Sequence, residues 1–259
     1  MKVIIGIGDS WTQGVGGVPE KFFNEWGGRV DRADNDGGDD LYPHELENSW
    51  VNVLSKKYLP DHKPFNLGMR GYGNRGAVKN LNYYDLPLEY ITGGYLIFLL
   101  SGRERFDYLG PSHSGRRRFI TLYPHANNKS YKWYAENLYS DFSANQEIML
   151  SIIEAQTFAK AYNLKFYFGY AFDNCSDVTN DDVYNLSKNI NWSNNITPST
   201  TYFDILAELE GIEKDYGYLM NQPKPLKYLT NCVHPTILGY EIIAEHMYNV
   251  INEKRTKLI

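Results

Sequence analysis

The sequence predicts an α/β fold in which helices cover both faces of a parallel sheet, and three observations predict it. Four short strand-like runs end at glycine or at a turn. The stretches between them carry helical periodicity, and the run at 3–7 is continuous rather than alternating, as strands buried on both faces are. Residues 3–7 are rich in β-branched side chains and stop at Gly8. Residues 63–67 stop at Gly68, residues 95–100 lie between Gly93-Gly94 and Ser101-Gly102, and residues 164–170 form the fourth run. Helices are predicted over 50–58, 75–81, 145–162 and 235–254. The last opens with Pro235 and Thr236 and repeats apolar residues at Ile237, Tyr240, Ile243, Met247 and Val250. Two polar stretches, near 15–47 and 173–201, are longer than ordinary connections and read as lids or disordered excursions. One domain over 1–259 is expected, since 259 residues suit a single large α/β unit.

Composition narrows the partners. A net charge of −5 gives no reason to expect nucleic acid, and the densest basic run, Arg116-Arg117-Arg118, reads as a solvated patch. The longest apolar stretch, 95–100, is far too short for a bilayer, so no membrane partner is expected. The chain enters a strand at Val3 with no leader pattern before it, so a cytoplasmic or virion-associated location is expected. Cys175 and Cys232 suggest neither a disulfide scaffold nor a metal site. The 22 tyrosines suit sugars, protein interfaces or simply a tyrosine-rich core.

Gly6-Ile7-Gly8-Asp9-Ser10-Trp11-Thr12-Gln13-Gly14 sits where chemistry is expected. In an open parallel sheet, ligands bind beyond the carboxyl ends of the strands, and Ser10 lies just past the first. A dinucleotide fingerprint would need glycine where Trp11 stands, and no phosphate-cradling Gly-Lys-Ser or Gly-Lys-Thr exists. The alternative is a tight turn whose serine only caps a helix. This stretch resembles block I of the SGNH, or GDSL, hydrolases, a family of esterases, lipases, thioesterases and carbohydrate acetylesterases. Three further blocks follow in family order as far as His234, so the resemblance covers almost the whole chain.

The second block is Asn66-Leu67-Gly68-Met69-Arg70-Gly71-Tyr72-Gly73-Asn74. Its glycines mark backbone that approaches something closely or takes positive φ. The resemblance implies that the Gly71 N–H donates to an oxyanion; Asn74 can equally be the N-cap of the next helix. In the third block, Ser101-Gly102-Arg103-Glu104-Arg105, the family has an oxyanion-binding asparagine where this chain has Glu104. An ionised carboxylate cannot donate and repels a developing oxyanion. Loss of one such donor costs on the order of 10²–10³ in rate. Arg103, Arg105 or Asn74 are candidates to replace it, or Glu104 pairs with an arginine in a surface network. The last block is Thr230-Asn231-Cys232-Val233-His234-Pro235, and His234 matches the family base, with Pro235 starting a helix. Asn231 stands where the family has aspartate, and such an exchange can let the histidine take the wrong tautomer.

Weaker signals are read as structural. Asp31, Asp34, Asp36, Asp39 and Asp40 fit no calcium-loop register and suggest a solvated loop. His44, His62, His113, His125 and His246 lack metal-ligand spacing and are expected at the surface or as caps. Trp11, Trp26, Trp50, Trp133 and Trp192 are candidate sugar platforms, with Trp50 expected to pack a helix on the sheet.

The resemblance therefore implies a three-layer α/β/α sandwich of flavodoxin-like type, the SGNH hydrolase fold. It implies a serine esterase acting on O-acyl esters of a small molecule or glycan, with acetyl groups on carbohydrate as one class. Ser10 would attack, His234 would act as base with Asn231 orienting it, and Gly71, Asn74, Arg103 and Glu104 would line the oxyanion and substrate side. No cofactor or metal is expected. The alternative is a weakened or inactive SGNH-fold binding or structural protein, such as a phage virion component, with homo-oligomer or virion assembly as its partnership.

Overall fold

The computed structural model describes residues 1–19, 41–111, 117–122, 129–172, 181–213, 218–219, 222 and 225–256. Strand β1 (Lys2–Gly8) runs into the short helix α1 (Ser10–Gln13). Then come α2 (Tyr42–Asn48), α3 (Trp50–Val53), which continues as a π-turn over Leu54–Tyr58, β2 (His62–Asn66) and α4 (Asn74–Tyr83). Strand β3 (Gly93–Leu100) is followed by an antiparallel pair, β4 (Phe106–Pro111) and β5 (Arg117–Leu122). Helices α5 (Lys129–Asn137) and α6 (Asp141–Ala161) lead to β6 (Lys165–Tyr170), and α7 (Asp181–Ser187), α8 (Tyr202–Glu210) and α9 (Ile237–Thr256) complete the order.

The main sheet runs β2-β1-β3-β6 and every pairing in it is parallel. Alternate residues of each strand point to opposite faces. Ile4, Tyr95, Ile97, Leu99 and Tyr167 pack under Trp50 and Val51 of α3, Phe203 and Leu206 of α8, and Tyr240, Ile243 and Met247 of α9. Val3, Ile5, Ile7, Leu96, Phe98 and Phe168 pack against Ala77 and Val78 of α4 and Ile148, Ile152 and Ala155 of α6. Burial on both faces explains why β1 and β3 read as continuous apolar runs, each fully buried Ile, Leu or Phe contributing about 1.5–3 kcal/mol, whereas the edge strand β2 carries the exposed Lys63. The result is a three-layer α/β/α sandwich. All four strands point their carboxyl ends to one edge, where Gly8, Asn66, Leu100 and Tyr170 end.

Gly94 lets β1 and β3 approach. Its φ is +132°, and a Cβ there would lie 2.0 Å from the Val3 carbonyl oxygen. Gly94→Ala is expected to lose about 2–4 kcal/mol through overlap and backbone strain. Thermal unfolding reads this as a fall of about 5–15 °C in Tm; an unchanged Tm would show that the pairing tolerates a methyl group.

Each of the four sequence-predicted strands has its counterpart in β1, β2, β3 or β6, and each of the four predicted helices has one in α3 with its π-turn, α4, α6 or α9. The sequence reading did not anticipate β4 and β5 or the shorter helices. The excursion expected at 173–201 is corrected over its described part. Residues 181–201 hold α7 and a 3-10 turn (Trp192–Asn194), and Asn195 pairs with Phe168 as an isolated parallel bridge. Trp192 anchors this segment, edge-on to Phe168 at 5.8 Å, with its Nε1 donating to the Ser187 carbonyl at 3.0 Å. Within the stretch expected at 15–47, residues 41–47 belong to α2 and the turn before it. The acidic cluster from Asp31 to Asp40, Trp26, His113, His125, Arg116 and Cys175 lie outside the described residues. His62 is buried with its ring tilted against Tyr95 at 5.3 Å, so it is not a surface residue, and the half-buried His246 bonds the buried Tyr202 hydroxyl at 3.2 Å. Among the described residues no helix is long and apolar enough to cross a membrane.

Candidate active site

Ser10 is the first residue of α1, at the carboxyl end of the central strand. Asp9 caps that helix, its Oδ1 accepting from the Trp11 N–H at 2.9 Å. Trp11 is fully buried, edge-on to Phe172 at 4.8 Å, and this packing fixes the turn that carries Ser10. The other Asp9 oxygen, Oδ2, accepts from Arg105 Nη1 at 2.6 Å, and the same Nη1 donates to the Tyr72 carbonyl at 3.0 Å. Asp9 has no accessible surface. Burial raises its carboxyl above the ordinary range, while the Arg105 charge pulls it back.

The loop after β2 is bolted onto α1. Asn66 Nδ2 donates to the Thr12 carbonyl at 2.7 Å, and its Oδ1 accepts from the Gly68 N–H at 3.0 Å. The Arg70 N–H donates to Gln13 Oε1 at 2.8 Å, Gln13 Nε2 donates to Glu45 Oε2 at 3.4 Å, and the Arg70 guanidinium pairs with the fully buried Glu45. Gly71 has φ +74°, a conformation that glycine adopts without strain. Beyond it, Asp107 of β4 accepts from the N–H groups of Gly73 at 2.9 Å and Gly76 at 2.7 Å, fixing the start of α4.

His234 arrives on a turn clamped by Thr230. The Val233 N–H donates to the Thr230 carbonyl at 3.0 Å, the His234 N–H to Thr230 Oγ1 at 3.0 Å, and the Thr230 N–H to the His234 carbonyl at 2.7 Å. Between Cys232 and His234, Val233 has φ +63°, which is strained for a β-branched residue and is held by burial in the core. His234 Nε2 lies 2.8 Å from Ser10 Oγ, and Nδ1 lies 3.4 Å from Cys232 Sγ. Burial first, and then the charges of Arg70 and Arg105, push the His234 imidazolium down to about 3. The imidazole is thus neutral across the ordinary pH range, with one nitrogen placed to take the Ser10 proton.

The sequence-predicted residues divide clearly. Ser10 and His234 meet. Asn231 is not the partner of the ring: its Oδ1 is buried with no hydrogen-bond partner, while Nδ1 faces Cys232. Asn74 does not reach toward Ser10; its Oδ1 accepts from the Ser101 N–H at 2.9 Å and its Nδ2 donates to the Ser101 carbonyl at 3.4 Å. Arg103 stands 3.8 Å from Asp141 and Arg105 pairs with Asp9, so the arginine partner considered for Glu104 is engaged elsewhere in both cases. The Glu104 carboxylate folds over Gly102, where a Cβ would lie 2.5 Å from both oxygens. Of the candidate sugar platforms, Trp11 and Trp50 are core residues and Trp192 packs on Phe168, whereas Trp133 is 55% exposed. The sequence reading missed Glu45 and Gln13, which fix Arg70, and the Asp9–Arg105 pair. It also missed Cys232, which no spacing rule singles out.

No protein-family model matches the chain, and no curated protein matches it. Among solved structures it is similar to the psychrotrophic esterase EstA from Pseudoalteromonas sp. (12% identity over 99% of this chain and 100% of that one, TM-score 0.49). It is also similar to a carbohydrate esterase whose active site displays divergent catalytic and non-catalytic binding functions (12% identity, 97% and 68% covered, TM-score 0.47). A carbohydrate acetylesterase family member from Sinorhizobium meliloti is similar as well (14% identity, 98% of each chain, TM-score 0.41). Identities of 12–14% with TM-scores below 0.5 make this a distant likeness. The described fold itself defines the class: an α/β/α sandwich with its central sheet parallel, the fold that the resemblance to the SGNH hydrolases implies.

Proposed function

We propose that this protein is a serine esterase that cleaves O-acyl esters, with acetyl groups on carbohydrate as the substrate class that the family resemblance suggests. The observation that carries the proposal is the 2.8 Å approach of His234 Nε2 to Ser10 Oγ at the carboxyl edge of the sheet. Ser10 Oγ attacks the ester carbonyl carbon as Nε2 takes its proton. The tetrahedral oxyanion faces the backbone N–H groups of Ser10 and Gly71, each such donor supplying about 3–4 kcal/mol of transition-state stabilisation. Collapse expels the alcohol, which leaves with the proton held by His234. Water, activated by the same nitrogen, then releases the acyl group from Ser10. Neither a metal nor a cofactor takes part in this route.

The rival reading is a binding or structural protein, such as a virion component, that keeps the fold without turnover. It is favoured by the Asn74 amide, which is engaged with Ser101, and by Glu104 in place of a neutral donor. A fluorophosphonate probe with p-nitrophenyl acetate hydrolysis separates the two. The esterase reading expects covalent labelling that disappears in Ser10→Ala and hydrolysis that falls to background. Equal behaviour of the folded wild type and the folded variant would sink it.

A further inference from the structure

We infer that Cys232 is the positioning residue for His234: its sulfur accepts the Nδ1–H of the ring and so holds the tautomer whose Nε2 lone pair faces Ser10. The inference rests on the Ser10–His234 reading above and names the part of that site which the sequence left open. For Nε2 to act as base toward Ser10 Oγ, 2.8 Å away, the ring proton must sit on Nδ1. A proton there needs an acceptor. The family position for that acceptor is Asn231, whose Oδ1 is buried with no hydrogen-bond partner. The atom that faces Nδ1 is Cys232 Sγ, 3.4 Å away.

The surroundings of the sulfur fit this role. Thr230 Oγ1 lies 3.1 Å from Sγ and accepts from the His234 N–H, which leaves its own hydrogen able to turn to the sulfur. Two donors, Thr230 Oγ1–H and His234 Nδ1–H, can then converge on one sulfur, which accepts them through its lone pairs. The charges of Arg70 and Arg105 act on His234, and those of Glu45, Asp9 and Arg70 act on Tyr240 of α9, which also senses Cys232. Arg105 and Arg70 are held by Asp9 and Glu45, and Cys232 packs against Val18. In the reaction the proton passes only from Ser10 Oγ to Nε2. The Nδ1 proton stays on nitrogen, and the sulfur takes no proton.

The test combines turnover with a measurement that needs none. For p-nitrophenyl acetate, Cys232→Ala is expected to lower kcat on the order of 10²–10⁴-fold with little change in KM, as loss of the orienting group does in a serine triad. Cys232→Asp should restore most of the rate, and Cys232→Ser should restore little. Nitrogen NMR of His234 should show the Nδ1–H tautomer in the wild type and a mixture in Cys232→Ala, whatever the turnover. A wild-type ring protonated at Nε2 would overturn the inference, as would Ser10-dependent hydrolysis unchanged in Cys232→Ala. Absence of Ser10-dependent hydrolysis together with the Nδ1–H tautomer would instead overturn the esterase reading and leave Cys232 as the partner of the ring.

Discussion

Asp9→Ala is expected to remove about 3–5 kcal/mol of folding stability, the range for breaking one side of a buried ion pair. The carboxylate has no accessible surface and its Arg105 partner keeps only 14% of its side-chain surface. Removing Asp9 leaves that guanidinium buried beside Phe172 without its counter-charge. The N-cap of α1 goes with it, a loss of about 1 kcal/mol more. Asp9→Asn separates the two effects, since an amide oxygen can still cap Trp11 while the charge is gone. Combining Asp9→Asn with Arg105→Met should recover part of the loss, because the double variant leaves no uncompensated buried charge. Urea denaturation midpoints measure all three. A loss under about 1 kcal/mol in Asp9→Ala would mean that the pair does not hold this end of the sheet. Arg105→Met carries a second expectation: with one cation gone, the His234 imidazolium should form at a higher pH than in the wild type.

His234→Gln is expected to lower kcat for ester hydrolysis on the order of 10²–10⁴-fold, the usual contribution of a positioned general base. Its effect on stability has the opposite sign in acid. In the folded protein the imidazole takes up its proton only near about 3, against the ordinary 6.5. Between those values the unfolded chain binds a proton that the folded state refuses, so the wild type loses stability as pH falls from 6.5 toward 3. Above pH 6.5 both states are neutral and the term vanishes. Glutamine removes it, so the variant should lose less stability than the wild type between pH 7 and pH 4.5. Denaturation midpoints at those two pH values decide it: equal losses would show that the folded histidine titrates normally.

The fold was legible because the sheet is buried on both faces. Residues 3–7 and 95–100 are unbroken apolar runs, and only strands covered by helices on both sides need to be. The hairpin of β4 and β5 was not legible: Asp107, Gly110 and Arg117-Arg118 interrupt any strand pattern there. What orders β4 is a buried carboxylate serving distant backbone groups, Gly73 and Gly76. Helix α2 was hidden for a related reason. Its buried residue is Glu45, which no hydrophobic period reveals, and it is held there by Arg70 and Gln13 from other segments. At the site, the glycine-bounded turn after β1 marked Ser10, and the His-Pro helix start marked His234. Cys232, inferred above to position the ring, escaped because spacing pointed to Asn231. Nothing in Thr230-Asn231-Cys232-Val233 announces a left-handed valine, yet that residue lies between the sulfur and the ring that meet.

The isolated bridge at Asn195 has a consequence for how copies of this chain can meet. A parallel sheet exposes unpaired backbone at its two outer strands, a template on which another strand can grow. Over Phe168–Tyr170 that template is taken: the Ile196 N–H donates to the Phe168 carbonyl at 2.8 Å, and the Tyr170 N–H donates to Thr197 Oγ1 at 2.8 Å. At the opposite margin β2 carries Pro64 at its centre, with no N–H to offer, beside the charged Lys63. Over these residues, both margins of the four-stranded sheet resist strand addition from a neighbour.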